Sequence, residues 1–91
     1  MILISYDIQN DKLRTNFSKY LQKFGYRLQY SVYEITNSKR MLSNIMAEIT
    51  NRYEKKFSET DSIIIIQTGA NCKITKWGYA KNDENDIIMV E

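Results

Sequence analysis

The sequence predicts an α+β fold, because two segments with a helical repeat of apolar residues alternate with short apolar segments of strand length. The first helical segment covers residues 11–24, and its apolar residues recur at the spacing of one helical face. Residues 62–68 contain four consecutive isoleucines, which is typical of a covered central strand. The chain has 91 residues, 43% of them apolar, and no low-complexity tract, so it makes one small domain.

The elements are predicted in the following order. The first strand covers residues 1–7, and the first helix places five apolar side chains on one face: Leu13, Phe17, Tyr20, Leu21 and Phe24. Gly25 is expected to end this helix in the left-handed conformation. A second helix is predicted over residues 39–56. The remaining strands are predicted over residues 26–35, 62–68, 73–77 and 86–90.

The predicted strand over residues 26–35 alternates strongly and contains three tyrosines. Its residues divide into two faces, with Tyr26, Leu28, Tyr30 and Val32 on one and Arg27, Gln29, Ser31 and Tyr33 on the other. The second face is polar and aromatic, so it suits a wet interface or contacts with phosphate.

The order of these elements predicts crossover connections through both helices. Crossovers of this kind on one antiparallel sheet give the ferredoxin-like β-α-β-β-α-β arrangement, although pattern alone establishes only α+β. A four-stranded sheet leaves no obvious place for the last strand. We therefore expect a ferredoxin-like domain over residues 1–78 and a C-terminal extension over residues 79–91. The strand in this extension would pair across a homodimer or, alternatively, fold back on its own sheet.

The composition excludes several kinds of site. The chain has no histidine, which rules out nucleophilic catalysis with a histidine base and histidine-ligated metal sites. Hydrolysis would then depend on carboxylates, on a hard cation such as magnesium, or on Lys, Arg and Tyr. Cys72 is the single cysteine, so no disulfide framework exists, which fits a reducing cytoplasm. The opening segment is expected to be a strand rather than a signal peptide, and no run reaches membrane-spanning length.

The charge is distributed unevenly along the chain. Residues 1–77 carry 12 Lys and Arg against 7 Asp and Glu, giving +5, whereas residues 78–91 carry −3. A basic body with an acidic tail is a reasonable binder of polyanions, although solvated lysines give the same pattern.

Asp7 stands at the end of the first apolar strand. A carboxylate there is expected at the rim of the sheet, and an acid leaving a buried strand generally has a cation, a hydrogen-bond donor or water beside it. Asp7 could instead cap the next turn, but Asn10 and Asp11 are better placed for that role. Asp7 is therefore a candidate metal ligand.

An ordered set of short motifs accompanies Asp7: Tyr6-Asp7 at the strand end, Asn10-Asp11 with Arg14 one turn into the helix, Gly25 followed by Arg27, and Gln29-Tyr30-Ser31-Val32-Tyr33-Glu34. Together with the length, the isoleucine-rich strand and the trailing strand, this set resembles the CRISPR-associated protein 2 family over essentially the whole chain. One departure is Tyr33, where the family often has Phe.

The resemblance implies a ferredoxin-like homodimer that acts beside the CRISPR-associated integrase in capturing spacer DNA. Many members of the family are described as magnesium-dependent nucleases of single-stranded RNA or double-stranded DNA. Carried over by position, the resemblance implies that Asp7 is the catalytic, metal-binding acid, with Tyr6 and Arg14 beside it. Arg27 and Ser31 would lie near the phosphate path with Arg14, and Tyr33 would lie at the dimer contact or rim.

Three functions compete at this point. In the first, two Asp7 carboxylates of a dimer share Mg²⁺ or another hard divalent cation, and the protein cleaves phosphodiester bonds. In the second, the dimer is a bridge that binds duplex DNA and holds integrase subunits, and Asp7 is dispensable. The third is a toxin-like ribonuclease of the same fold, which the segment 29–34 does not favour. We expect a subunit for spacer acquisition, with nuclease activity as a secondary property.

Overall fold

The computed structural model describes residues 1–82, and five strands and two helices form an α+β fold. The strands are β1 (Ile2–Asp7), β2 (Gly25–Gln29), β3 (Val32–Ile35), β4 (Ser62–Gln67) and β5 (Lys73–Gly78). The helices are α1 (Asp11–Leu21) and α2 (Lys39–Glu48), and α2 continues through a π-helical turn, Ile49–Tyr53, and a 3₁₀ turn, Glu54–Lys56. A last 3₁₀ turn covers Tyr79–Asn82. The strand predicted over residues 86–90 lies outside the described residues, so it stays a prediction.

The segment predicted as one strand over residues 26–35 is a hairpin of two strands. A turn at Tyr30 and Ser31 separates β2 from β3, and Arg27 pairs with Tyr33 across the hairpin. The register shifts between Arg27 and Gln29, which marks a bulge or irregularity in β2. The prediction of a single strand was therefore wrong, and the turn divides this segment into two adjacent strands of the sheet.

The sheet has the strand order β2-β3-β1-β4-β5, and every neighbouring pair is antiparallel. The first four strands in this order are compatible with the ferredoxin-like arrangement, and β5 extends the sheet beyond β4. The predicted α+β class is confirmed, with β1 at the centre of the sheet.

Helix α1 begins with a side-chain cap and ends earlier than predicted. The side chain of Asn10 accepts a hydrogen bond from the backbone N–H of Leu13 at 2.8 Å, which satisfies one free donor of the first turn. The helix ends at Leu21 rather than at residue 24. The left-handed conformation expected of Gly25 was also wrong, since the glycines with positive φ in residues 1–82 are Gly69 and Gly78.

Gly25 is instead required by a close approach between two strands. A Cβ placed on Gly25 would lie 1.9 Å from the carbonyl oxygen of Glu34 in β3. No side chain fits at that distance unless the hairpin backbone moves.

Both helical segments pack on one face of the sheet and form the core with it. The side chains of Ile4, Ile63 and Ile65 on this face are fully buried. Phe17 of α1 contacts Tyr6 and Tyr53 edge-on, with ring centroids 5.2 and 4.8 Å apart. Because Tyr53 lies in the π-helical turn, these rings join both helical segments to β1.

The opposite face of the sheet carries half-buried or exposed apolar side chains. Leu3, Ile64 and Ile66 are only partly buried there, and Ile74 of β5 is 50% exposed. Asp7 belongs to this face by the alternation of β1. We call it the open sheet face.

The position predicted for Tyr33 on the strand over residues 26–35 was also wrong. Tyr33 is fully buried, so it does not lie at a rim, whereas Tyr26 and Tyr30 of the other predicted face are 58% and 72% exposed. The pairing of β3 with β1 places Tyr33 opposite Ile4, whose side chain faces the helices. Tyr33 therefore belongs to the core.

No helix in the described part of the chain is long and apolar enough to cross a membrane.

Substituting Gly25 with alanine should destabilise the fold, because the new Cβ forces β2 away from Glu34. We expect the free energy of unfolding in urea to fall by about 2 kcal/mol or more, the usual size of an overpacking penalty. Gln29→Ala, at an exposed position of the same strand, serves as the control and should change it by less than about 0.5 kcal/mol. Equal stability of the two variants would contradict the close approach.

Candidate nucleic-acid interface

Asp7 lies exposed at the last position of β1, where the open sheet face meets the loop to α1. It borders a cavity of about 460 Å³ whose lining includes Tyr6, Arg14, Tyr30 and Ser31. The backbone N–H of Tyr6 donates to the carbonyl oxygen of Ser31 at 3.1 Å, which fixes the hairpin turn beside the end of β1. The predicted rim position of Asp7 is confirmed, and Arg14 and Ser31 share its cavity.

Arg14 holds the loop between β1 and α1. Its Nη1 donates to the carbonyl oxygens of Ile8 and Gln9, at 2.9 and 3.2 Å, and its Nη2 forms an ion pair with the exposed Asp11. The hydrogen bond to Asp11 raises the pKa of Arg14. Its side chain is 27% exposed, so a phosphate would reach it in competition with Asp11.

Arg27 lies over a small buried network. Its Nη2 donates to Ser18 Oγ at 3.1 Å, and its guanidinium carbon lies 5.7 Å from the ring centroid of Tyr33. Ser18 Oγ and the Tyr33 hydroxyl are 2.7 Å apart, and Gln22 Nε2 donates to that hydroxyl at 3.3 Å. Burial alone would raise the pKa of Tyr33, but the polar contacts of Ser18, Gln22 and Arg27 outweigh burial and lower it.

A second cavity, of about 230 Å³, adjoins the first along α1. Both cavities are lined by Tyr6, Arg14 and Tyr30, and the second adds Ser18, Gln22 and Arg27. The structure thus brings five of the predicted residues to one surface: Tyr6, Asp7, Arg14, Arg27 and Ser31. We call it the Asp7 surface. Tyr33 lies beneath it and supports it through Ser18 and Arg27.

One protomer offers a divalent cation a single carboxylate on this surface. Within residues 1–82, no three acidic or cysteine side chains gather closely enough to hold a metal ion. Asp7 is exposed and is the one acid among the residues that line the larger cavity. These residues fit Mg²⁺ only if water or a second copy of the chain supplies the other oxygens, as is usual where protein ligands are few.

Asp61, which precedes β4, is a buried carboxylate that organises the loop after Asp7. Asp61 is 1% exposed, and its two oxygens accept hydrogen bonds from the backbone N–H groups of Gln9 and Ser58, each at 2.9 Å. Burial opposes ionisation, but the backbone hydrogen bonds from Ser58 and Gln9 dominate and lower the pKa of Asp61. Gln9 is thereby fixed two residues after Asp7.

Sequence reasoning missed four residues of this region: Ser18, Gln22, Tyr30 and Asp61. Arg14, Ser18 and Gln22 are spaced by four residues, so a polar stripe on α1 was a readable signal. Tyr30 required recognition of the hairpin turn. Asp61 follows Ser58 in a polar segment before the isoleucine strand, and nothing in that spacing indicates its burial.

The sequence was then compared with known proteins. Residues 1–75 match the family model described as "CRISPR associated protein Cas2". This chain belongs to the Cas2 family. The match covers β1 to β4 and the start of β5, and therefore all of the Asp7 surface. The resemblance stated from the sequence motifs is confirmed.

Three curated relatives carry the description CRISPR-associated endoribonuclease. Cas2 3 of Synechocystis sp. is 35% identical over 69% of this chain and 65% of its own length. Cas2 4 of Rhodospirillum rubrum is 36% identical over 77% of this chain and 54% of its own length. Cas2 2 of Methanospirillum hungatei is 28% identical over 97% of both chains. This Cas2 chain thus spans less than two thirds of the first two relatives. No solved structure matches it significantly.

Asp61→Asn should destabilise this Cas2 protein in a pH-dependent way. The pKa of Asp61 is lower in the folded state, so its ionisation stabilises the fold above the unfolded value of about 4 and this stabilisation is lost as the pH falls through the folded value. We expect the variant to lose about 2 kcal/mol of unfolding free energy at pH 7, because one of the two charged hydrogen bonds becomes neutral and the other is lost, since the NH₂ group of Asn cannot accept from a backbone N–H.

Urea unfolding of wild type and variant at pH 7 and pH 3 checks this prediction, and the difference should shrink at pH 3. Glu59→Gln, at an exposed acid two residues earlier, is the control and should show little change at either pH. A loss for Asp61→Asn that is the same at both pH values would assign the effect to packing rather than to ionisation.

Proposed function

We propose that this Cas2 protein is a subunit of the CRISPR spacer-acquisition machinery, in which a homodimer binds duplex DNA and bridges subunits of the CRISPR-associated integrase in the cytoplasm. The observation that carries the DNA-binding part is the convergence of Arg14, Arg27 and Ser31 on one surface beside Asp7. The bridging role and the location rest on the family resemblance.

The Asp7 surface suits the sugar–phosphate backbone better than base edges. One guanidinium group can donate two parallel hydrogen bonds to the oxygens of a phosphate, and a hydroxyl group such as that of Ser31 adds a single hydrogen bond. Arg27 is exposed and lies on a rigid base of Ser18 and Tyr33, so its position is fixed before DNA arrives. Backbone contacts of this kind carry no sequence information, which suits a protein that captures varied DNA.

The exposed apolar side chains of the open sheet face support the proposal of a homodimer. It exposes part of Leu3, Ile64, Ile66 and Ile74, and packing two such faces would remove this apolar area from water. Asp7 lies at one end of the same face, so a two-fold axis near that end would bring two Asp7 carboxylates together.

Endonuclease activity on RNA or DNA is the second candidate function, and the exposed position of Asp7 beside Arg14 favours it. The relatives named as endoribonucleases point the same way. We propose that Asp7 of two protomers holds Mg²⁺ or another hard divalent cation, while Arg14 and Ser31 bind the strand. When bound, the cation supplies positive charge against the scissile phosphate and makes nearby water more acidic. No histidine is present to move a proton, so turnover is expected to be slow.

The bridging role is tested by pull-down of the integrase with this protein, with and without a duplex of protospacer length. Retention of the integrase in either condition supports the proposal, and its absence from both would contradict it.

Arg14→Gln combined with Arg27→Gln should weaken duplex DNA binding and its dependence on salt. Each lost phosphate contact lowers the magnitude of the slope of log affinity against log salt by about 0.9, so the pair should lower it by about 2. Fluorescence anisotropy at several salt concentrations measures the slope. Arg40→Gln combined with Lys55→Gln, which removes two charges elsewhere, is the control. Equal slopes for the two double variants would place the phosphate contacts away from the Asp7 surface.

Asp7→Ala should abolish magnesium-dependent cleavage of RNA or DNA, with a loss of about 100-fold or more, because a group that stabilises the transition state is removed. Dimerisation, checked by sedimentation, and duplex binding should be retained. Glu59→Ala is the control at another exposed acid and should cleave like wild type. If highly purified Asp7→Ala cleaves at the wild-type rate, Asp7 has no role in catalysis, and only the proposed architectural role still stands.

A further inference from the structure

A second concave surface lies between α1 and the helical turns over residues 49–56. It consists of two adjoining cavities of about 310 and 260 Å³, both lined by Leu13, Asn16 and Lys56. Five cationic side chains line them: Lys12, Lys19, Lys23, Arg52 and Lys56. We call this surface the basic groove.

The positive charge of the basic groove is largely uncompensated in the described residues. None of the residues that line it is acidic. Arg52 forms an ion pair with Glu48 at 3.0 Å, whereas Lys12, Lys23 and Lys56 form none within residues 1–82. Cations on facing walls repel one another, and a bound polyanion removes that repulsion.

Two separate elements produce this arrangement. One wall carries Lys12 and Lys19 of α1 and Lys23 just after the helix ends, and these lysines alone would be an ordinary solvated stripe. The turns after α2 place Arg52 and Lys56 on the facing wall. π-helical turns are rare and are frequent at functional sites, and here one contributes Arg52 and Tyr53 to the groove wall.

The length and chemistry of the groove fit a phosphodiester chain. Lys12 and Lys19 of α1 are separated by about 10 Å along the helix axis, and Lys23 follows just after the helix ends, so the row of cations is long enough to contact more than one phosphate of a strand. Asn10 and Asn16 also line the groove, and their amide groups can donate hydrogen bonds to phosphate oxygens. A linear row of cations with amide donors matches regularly spaced phosphates.

We propose that the basic groove binds the phosphate backbone of a nucleic-acid strand as a site separate from the Asp7 surface. Lys19 lines both the groove and the smaller cavity of the Asp7 surface, so one strand can pass around α1 from one site to the other. The groove lies on the helical side of the sheet, and a dimer formed through the open sheet face leaves it accessible. The inference goes beyond the proposed function, since it needs neither the dimer, nor the integrase, nor cleavage.

The test compares two triple variants of the whole chain that remove equal charge from exposed lysines. The groove variant is Lys12→Gln, Lys23→Gln and Lys56→Gln, and the control variant is Lys39→Gln, Lys55→Gln and Lys73→Gln. Lys19 is left intact because it also lines the Asp7 surface. Affinity for single-stranded RNA, single-stranded DNA and duplex DNA is measured by anisotropy across a range of salt concentrations.

We expect the groove variant to bind at least one of these nucleic acids about tenfold more weakly than the control variant at 0.1 M salt, with a salt slope lower by about 2 for a single strand and about 3 for duplex DNA. A loss confined to single strands identifies an unpaired strand as the occupant, and a loss confined to duplex identifies one strand of a duplex. Equal affinities and slopes of the two triple variants for all three nucleic acids would overturn the proposal.

A second measurement on the wild-type protein needs no variant to fold. Acetylation of lysines with and without bound nucleic acid, read by mass spectrometry, should show protection of Lys12, Lys23 and Lys56 but not of Lys39, Lys55 and Lys73. Equal protection of both sets would overturn the proposal. The Arg14 and Arg27 double variant separates the two proposals. If it binds nucleic acid more weakly while the groove variant binds like its control, only the Asp7 surface is a binding site. If neither variant binds more weakly than its control, both proposals are contradicted.

Discussion

The position of β1 between two antiparallel partners is the constraint on which the rest of the molecule depends. Strands β3 and β4 satisfy the hydrogen bonds of β1 on both sides, and the alternation of its side chains then determines which residues meet the helices. Ile4 and Tyr6 enter the core, and Asp7 is left at the rim of the other face. A shift of one residue in this register would bury the carboxylate of Asp7 and expose Ile4 and Tyr6. The register of β1 therefore determines both the exposure of Asp7 and the stability of the core.

The Asp7 surface is held mainly by side chains that bind backbone atoms of the loop after β1. Arg14 binds the carbonyl oxygens of Ile8 and Gln9 from one side, and the buried carboxylate of Asp61 binds the N–H of Gln9 from the other. Two residues of opposite charge thus fix the same short loop without contacting each other. Arg27, in contrast, is supported by an aromatic ring and a hydroxyl, and it is the more accessible of the two arginines.

Periodicity predicted the strong elements well and the hairpin poorly. The helix beginning at Asp11, the helical segment over residues 39–56 and the isoleucine strand follow the expected patterns, because burial of one face dominates their sequences. The turn at Tyr30 and Ser31 contains no Gly, Pro, Asn or Asp, and a single serine is only a weak turn signal, so the local sequence did not predict the hairpin. The burial of Tyr33 depends on pairing with β1, which no local pattern contains. The candidate acid and arginines were found from the sequence, whereas the polar network beneath them requires the fold.

The strands at the two ends of the sheet have a consequence for the behaviour of the protein at high concentration. Strands β2 and β5 are the ends of the described sheet, and exposed strand edges tend to pair with the edges of other molecules. Arg27 lies on β2 and Lys73 lies on β5, so joining these edges would bring like charges together. This repulsion weakens as counterions accumulate. Colloidal stability is therefore tied to ionic strength, and concentrated salt removes part of the barrier to edge-to-edge aggregation.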